Sequence, residues 1–567
     1  MYFLSCLRSA AAHPKLAEAE GEQDGNDKSA AIYPLIYPTT TDKSLKQPFP
    51  QKLRAIQKKH GEMIMKGKVD LVMVCAGMQG PNDKSHVPLG LLYVGTQLKL
   101  AGYDVAIRHL LPEEFDAGIS AIRAHNPLWV GLSVLSGMTT YYAAELSRRI
   151  KTEIPGTPVI WGGHHASAVP LQCLAADYID YVIVGEGELT AVEFSDTLLQ
   201  GGDMSKVQGL GWKSLDGQIH LNSARPLIED LDSLELDWEL LDMTQYNSGC
   251  SRGYRNVGFF SSRGCPYRCA FCTTPTYTGK SYRAHSVEFV LRHLSYLRER
   301  YGYNGVFFSD DNFIFNQERS LEIIRRLAAR GIKVNTLDVR VNQLNEKVVK
   351  SFADFGVSGV FFGFESGSDR ILKLVRKGIT VEEIKVKARL LNKFGICAWA
   401  SSIIGLPTET REEAYATIDL GMWLRDNLAE NSVVCNYRYM PLPNTPLLDL
   451  AVKEGFPYPM TPEEWKVIDP IGPYYSSPWI KWMTPDDAKY FAWMQELGRA
   501  RMFDFVRAAP LVPKIVHNFF ARRFRVQALK RRSSMGLDMR AYCLMRDLYE
   551  IAVYGRRRRL ISQAKLH

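Results

Sequence analysis

The chain has 567 residues, of which 46% are hydrophobic and 23% charged, a balance that fits two or three soluble globular domains and excludes a low-complexity or collagen-like chain. Its ten cysteines are sparse and show no paired framework, no run of eighteen uncharged apolar residues occurs, and the opening Met1 to Arg8 is too short for a secretion signal; a cytoplasmic, reducing setting is expected. The net charge of +9 is uneven, because Arg501 to His567 holds sixteen Lys/Arg against four Asp/Glu, or +12, leaving −3 for the rest.

Residues 1–65 lack sustained periodicity and read as a poorly ordered lead-in. From Val69 short apolar runs alternate with helical stretches. Strands are predicted at Val69–Val74, Asp104–Ile107, Trp129–Val134, Pro158–Trp161 and Tyr181–Val184, which makes residues 66–205 a doubly wound parallel sheet. Ligands of such sheets lie across the carboxyl ends of the strands. Those ends are glycine-rich here: Ser133, Leu135 and Ser136 precede Gly137, Gly162 and Gly163 precede His164 and His165, and Gly185-Glu186-Gly187 follows the fifth strand. Three such loops on one edge favour a large planar or nucleotide-like ligand. A hairpin, Val207–Lys213 and Gln218–Leu221 around Asp216-Gly217, then opens a linker over 206–250.

A second α/β pattern fills 251–455, with strands at Val257–Phe260, Gly305–Phe308, Val334–Leu337, Gly359–Phe362, Ala398–Ile404 and Val433–Tyr439. Six β/α units suit a partial barrel of the TIM type, whose active site lies at the carboxyl ends of its strands. Directly after the first strand comes Cys265-x3-Cys269-x2-Cys272. This spacing suits three corners of a cubane 4Fe-4S cluster and leaves one iron open, whereas structural and electron-transfer clusters are normally closed by four thiolates. A small molecule is expected on the open iron. Phe307, Phe308, Phe361, Phe362, Tyr437 and Tyr439 are candidates to line an apolar cavity, although alternating barrel residues are more often core, and Cys435 is a candidate hydrogen donor. Residues 456–567 read as a helical, basic C-terminal region.

The triplet, the six-unit barrel and the glycine-edged sheet before it resemble the cobalamin-binding radical S-adenosylmethionine enzymes, over about Lys66 to Gly455. The resemblance implies that Cys265, Cys269 and Cys272 hold the cluster, that S-adenosylmethionine chelates the open iron, and that the backbone of Phe271 lies beside adenine. It also implies that Glu365 and Ser366 contact the ribose, Arg340 the nucleoside or its carboxylate, and Ser402, in Ser402-Ile403-Ile404-Gly405-Leu406-Pro407, packs near adenine. The usual Gly-Gly-Glu after the second barrel strand is replaced by Ser309-Asp310-Asp311-Asn312, and Asp310 is the candidate for the methionyl ammonium. The first domain then resembles the cobalamin domain, with Leu89, Gly90, Ser133, Leu135, Ser136, Gly162, Gly163, His164, Gly185, Glu186 and Gly187 as candidate contacts. The Asp-x-His-x-x-Gly signature of a histidine lower ligand is missing, since Asp83, His86 and Gly90 have the wrong spacing.

The activity implied is methylation of an unactivated carbon, through a 5′-deoxyadenosyl radical and methylcobalamin. The alternative is oxidative cyclisation or rearrangement with the same cofactors, as in anaerobic magnesium-protoporphyrin monomethyl ester cyclase. An RNA methylthiotransferase would need a second cysteine triplet, and Cys75, Cys173 and Cys250 do not form one. A zinc-stabilised binding module matches the x3, x2 spacing poorly. Expected partners are a small, apolar substrate of lipid or tetrapyrrole type and an electron donor such as flavodoxin or ferredoxin; nucleic acid is not expected. In the basic tail, Leu511 to Arg525 mixes bulky apolar and cationic residues as an interfacial helix does, which would allow peripheral membrane contact, while a solvated helix packed on the barrel is the plainer reading.

Overall fold

The computed structural model describes residues 66–75, 86–247 and 254–468 apart from 280 and 431, together with 480–485, 487, 490, 491 and 494. The lead-in 1–65, Asp83, Cys250 and the basic tail with Leu511 to Arg525 lie outside the described residues.

The first sheet has the order β2-β1-β3-β4-β5-β6-β7. Its parallel part is β1 (Gly67–Val74), β2 (Tyr103–Leu110), β3 (Trp129–Ser133), β4 (Val159–Gly162) and β5 (Tyr181–Ile183). Helices α1 (Leu89–Leu100), α2 (Phe115–His125), α3 (Met138–Glu153), α4 (Gly163–Ala168), α5 (Pro170–Ala175) and α6 (Gly187–Leu199) connect and cover these strands. Two separate apolar cores result, one holding Val72, Val130, Leu132 and Trp161, the other Val69, Leu71, Trp129 and Phe194. That burial on both faces is what the near-continuous apolar strands demand. The hairpin, β6 (Leu210–Lys213) and β7 (Ile219–Leu221), joins this sheet antiparallel to β5. The sheet therefore runs on to Leu221 instead of ending before the linker.

The second sheet is wholly parallel, in the order β15-β14-β13-β12-β11-β8. Its strands are β8 (Asn256–Phe259), β11 (Gly305–Phe308), β12 (Lys333–Asp338), β13 (Gly359–Glu365), β14 (Cys397–Ile404) and β15 (Val433–Arg438). Between β8 and β11 lies a short antiparallel ribbon, β9 (Ser262–Arg263) with β10 (Arg283–Ala284), and α7 (Thr274–Thr278) sits within its loop. The outer helices are α8 (Val287–Tyr301), α9 (Gln317–Ala329), α10 (Glu346–Asp354), α11 (Asp369–Leu374), α12 (Val381–Lys393), α13 (Arg411–Asn427) and α14 (Pro446–Lys453). Thr380 with Glu383 and Thr410 with Glu413 form capping boxes that start α12 and α13.

Alternation along the strands divides the expected cavity aromatics. Phe308 and Phe362 face the helices and belong to the main core, Tyr439 belongs to a third cluster, and Phe307 packs with Trp399 apart from these. Cys435 is buried. Residues 456–468 are acidic at Glu463 and Glu464 and end in the 3-10 helix Pro462–Ile468, which packs on α3 of the first domain. Arg148 pairs with Glu463, and Trp465 donates from Nε1 to Gln172 at 2.6 Å. The 3-10 helix Pro462–Ile468 is not basic, and the described positions 485, 487, 490, 491 and 494 beyond it are α-helical.

Candidate active site at the facing edges of the two sheets

Two neighbouring aspartates hold the cysteine loop. Asp310 is 1% exposed, and its carboxylate accepts from Ser261 N at 2.5 Å, Ser261 Oγ at 2.6 Å and Ser262 N at 2.9 Å. Asp311 accepts from Gly264 N at 3.0 Å and Thr274 Oγ1 at 2.9 Å, so it grips the chain just before Cys265 and just after Cys272. Gly264 has φ +87°, and an added Cβ would run into the Ser281 carbonyl oxygen. Only glycine fits there. Burial raises Asp310 to about 6, against its three hydrogen bonds. Three protein donors turn the Asp310 carboxylate to the cysteine loop.

The three thiols are half-buried, and Cys272 N bonds Cys269 O at 3.1 Å in a tight turn. Among the described residues no three His, Cys, Asp or Glu side chains converge on a single-ion position. Arg340 donates from Nη1 to Cys269 Sγ at 3.2 Å and stacks on Tyr267 with 3.7 Å to the ring centre. Sulfur of a metal-bound thiolate is the better acceptor for such a donor, so the donor set fits the cluster.

Around this loop the carboxyl ends of the barrel strands carry buried polar atoms without hydrogen-bond partners: both amide atoms of Asn312, Asp338 Oδ1, Arg340 Nε, Glu365 Oε2 and Glu409 Oε1. Buried polar atoms are nearly always satisfied, and so many orphans on one rim suit a polar ligand. Glu365 is strained, with φ +59°, and its Oε1 accepts from Lys377 Nζ at 2.7 Å. Lys377 is 7% exposed, its carbonyl accepts from Arg340 Nη2, and its ammonium lies 5.8 Å from the Phe271 ring centre. It thereby joins three candidate residues. Sequence reasoning missed Lys377, Asn312 and Asp338, and the only available signal was the cation twelve residues after Glu365. Burial, with the carboxylates of Asp310 and Asp311 beside it, pushes Asp338 well above the ordinary carboxyl range.

Two candidates are occupied within the protein. Ser366 Oγ lies 3.1 Å from Thr417 Oγ1 and accepts from Ser368 N at 3.1 Å, and Ser402 donates to Asn436 Oδ1 at 2.7 Å. Both are fully buried.

On the first sheet Ser133 ends β3 opposite Gly162 of β4. Gly163, at φ +85°, brings these ends together, since an added Cβ would lie 3.1 Å from Ser133 Oγ and 3.2 Å from the Val134 backbone. Gly185 has φ +85° too, but an added Cβ there, as at Gly90, would meet nothing within 4 Å. With Gly163 closing β3 onto β4 and open space above Gly185 and Gly90, this edge leaves room for a large group such as cobalamin. Leu135 is half-buried, and its carbonyl accepts from Thr139 Oγ1; Leu89 is buried in the core beside Tyr93. Gly187 opens α6. His164 is exposed and stacks on Tyr277 of the cysteine loop at 4.6 Å, so this edge faces the cluster loop. His165 turns inward, meets Ser136 Oγ at 2.9 Å, and burial lowers its imidazole to about 3. Glu186 points across to the barrel, where Arg263 and Arg283 bind it.

Residues 259–421 match the Radical SAM superfamily, and residues 83–195 match the B12 binding domain. The chain is 34% identical over 391 residues to an uncharacterized methyltransferase of Pyrococcus horikoshii, covering 68% of this chain and 82% of the relative. It is 27% identical over 339 residues to the anaerobic magnesium-protoporphyrin IX monomethyl ester cyclase of Rubrivivax gelatinosus, covering 57% and 60%. The solved structure of the radical S-adenosylmethionine methyltransferase TsrM from Kitasatospora setae, with cobalamin and a [4Fe-4S] cluster bound, superimposes with a TM-score of 0.56 at 19% identity, over 70% of this chain and 80% of that one. With a cysteine loop clamped at a parallel barrel's carboxyl edge and a glycine cradle facing it, the chain belongs to the cobalamin-binding radical S-adenosylmethionine enzymes.

Proposed function

We propose that the protein methylates an unactivated carbon of a small, largely apolar substrate. When bound, the cluster supplies the electron that cleaves S-adenosylmethionine to a carbon radical, and cobalamin supplies the methyl group. The protein's own work is to orient and seal. Asp310 and Asp311 hold the loop that presents Cys265, Cys269 and Cys272. Glu365, fixed by Lys377, offers its remaining oxygen to the ribose, and Phe271 lies beside it for adenine. Arg340 serves the ligand carboxylate from its place over Tyr267, and Asp338, with an unpartnered oxygen, is the carboxylate we assign to the ammonium in place of Asp310. Ser366 and Ser402 support these loops from within. Ser133, Leu135, Gly162, Gly163, His164, Gly185 and Gly187 form the cobalamin-facing edge, with Gly90 and Leu89 at the first helix.

One observation carries this reading: orphaned polar atoms on the barrel rim lie beside the clamped cysteine loop, with the open glycine edge stacked against that loop through His164 and Tyr277. The higher identity to a methyltransferase than to a cyclase favours methyl transfer, and the cyclase relative supports oxidative ring closure as the second reading. Lipids and tetrapyrroles are the substrate classes proposed, with a low-potential flavodoxin or ferredoxin as electron donor. No described helix is long and apolar enough to cross a membrane; a peripheral contact is proposed for the basic tail. The test is anaerobic reconstitution with iron, sulfide, cobalamin and S-adenosylmethionine, offered candidate tetrapyrroles and lipids. A product heavier by one methyl group supports methylation, and loss of hydrogen without added carbon supports the cyclase reading.

A further inference from the structure

The domains meet at a charge cluster that ligand binding does not explain. In the ribbon of β9 and β10, Arg263 stands directly opposite Arg283. Like charges so placed repel, and these side chains are only 16% and 4% exposed. Among the described residues no carboxylate of the barrel pairs with either guanidinium. Compensation comes from the other domain: Glu186 accepts from Arg263 Nη1 at 2.9 Å and from Arg283 Nη1 and Nη2 at 2.9 and 3.0 Å, while Glu188 accepts from Arg263 Nη2 at 2.6 Å. Ile228 N, from the linker, donates to Glu186 at 2.9 Å.

The surroundings hold this cluster in place. The Arg263 guanidinium lies 4.6 Å over the ring of Tyr93 on α1; the Tyr93 hydroxyl meets His285 Nε2 at 2.8 Å, and His285 Nδ1 meets Asp232 Oδ1 at 3.0 Å. Burial would raise the Glu186 carboxyl, but hydrogen bonds from Arg283 and the charge of Arg263 hold it below the ordinary range. Two guanidiniums and two carboxylates cancel, the condition under which buried charge is tolerated.

The placement of the pair gives it meaning. Arg263 is two residues before Cys265, and Glu186 sits between Gly185 and Gly187 of the cobalamin cradle. We propose that the Arg263, Glu186 and Arg283 clamp is a positioning device that fixes the separation of cobalt and cluster. The proposal rests on the function given above. Interfaces between domains of one chain leave relative motion as the default, whereas bond formation between two bound groups loses orders of magnitude when they are misplaced by an ångström. Charge-assisted bidentate bonds reduce that motion between the chain just before Cys265 and the Gly185-Glu186-Gly187 turn. Arg263 and Glu186 act here as positioning residues, through the loops that carry them.

The test uses the full chain reconstituted with cluster and cobalamin. Pulsed electron paramagnetic resonance between the reduced cluster and cob(II)alamin gives the distribution of their separation. Wild type gives one narrow distance; Arg263→Gln and Glu186→Gln widen the distribution about twofold or more, with iron and cobalamin content unchanged, and Arg263→Lys lies between. Distributions that stay as narrow as wild type in both Gln variants overturn the proposal. If Arg263→Gln loses iron, Glu186→Gln decides, because it lies in the other domain. A cobalamin-free measurement separates this proposal from the function: amide exchange of 183–188 and of 257–264 accelerates about tenfold in both variants if the clamp couples the loops. Unchanged exchange overturns the clamp, and failure of wild type to take up cobalamin overturns the function instead.

Discussion

Replacing Gly264 by alanine attacks the cluster loop at a point where its cost can be worked out. The residue sits at φ +87°, which costs an L-residue about 1–2 kcal/mol. The new Cβ runs into Ser281 O and comes 3.3 Å from Thr278 Cβ, and neither neighbour moves freely, because Ser281 N and Oγ bond Thr278 O at 3.1 and 2.7 Å. Relief by shifting Gly264 breaks its bond to Asp311, a hydrogen bond to a charged group worth about 1.5–3 kcal/mol. The sum is about 2.5–5 kcal/mol, carried by the loop and not by the sheets, or a loss of about two to nearly four orders of magnitude in the loop's native population. Gly185→Ala is the control. It has φ +85° but open space above it, so only the backbone cost of about 1–2 kcal/mol applies, in the other domain. Iron and sulfide per chain after anaerobic reconstitution, beside circular dichroism of the iron-free protein, read the result. Gly264→Ala should keep its secondary structure and lose most of its cluster, while Gly185→Ala keeps full iron. Full iron loading in Gly264→Ala would refute the reasoning.

Lys377→Met leaves the Glu365 carboxylate buried without its cation, and should cost about 3–5 kcal/mol in urea unfolding. Adding Glu365→Gln should recover part of it, and strictly additive losses would contradict the pairing. Burial raises Glu409 to about 8 although Gly405 N and Leu406 N donate to it. Its unfolded carboxyl ionises near 4.5 while the folded one keeps its proton to about 8, so unfolding releases a proton between these values and stability falls as pH rises through that window. Glu409→Gln should remove that residue's share of the slope, up to about 5 kcal/mol at 1.36 kcal/mol per unit, and a stability profile from pH 5 to 8.5 as steep as that of wild type would count against it. Trp465→Ala empties a fully buried site between the 3-10 helix and the first domain, at about 3–5 kcal/mol. Calorimetry should then show the first domain melting separately, and one transition at an unchanged temperature would contradict that role.

Much of the architecture was legible because runs such as Gly359–Phe362 and Trp129–Val134 are short, apolar and rich in β-branched or aromatic residues. The cysteine triplet was legible because its chemistry resides in local spacing. What escaped depends on contacts distant in the chain. The hairpin at Leu210–Leu221 joins the first sheet because β5 offers it an open edge, a fact of assembly and not of composition. Glu186 read as a cobalamin contact from its two glycines, yet its partners lie 77 and 97 residues away at Arg263 and Arg283. Asp310 read as a ligand group because a free carboxylate pairs with a cation, but three donors from Ser261 and Ser262 meet it first. Trp465 is 293 residues from Gln172, so the docking of 456–468 on the first domain had no local signature.

The central claim is that the Cys265, Cys269 and Cys272 loop and the facing glycine edge load a cluster and a cobalamin that act together on S-adenosylmethionine. The most direct measurement is cofactor content with 5′-deoxyadenosine formation in anaerobically reconstituted wild type and Cys269→Ala. Wild type should hold about four irons and about one cobalamin per chain and form 5′-deoxyadenosine on reduction, while Cys269→Ala keeps cobalamin and forms none. Persistent 5′-deoxyadenosine in Cys269→Ala, or a wild type that binds no cobalamin, would contradict the account.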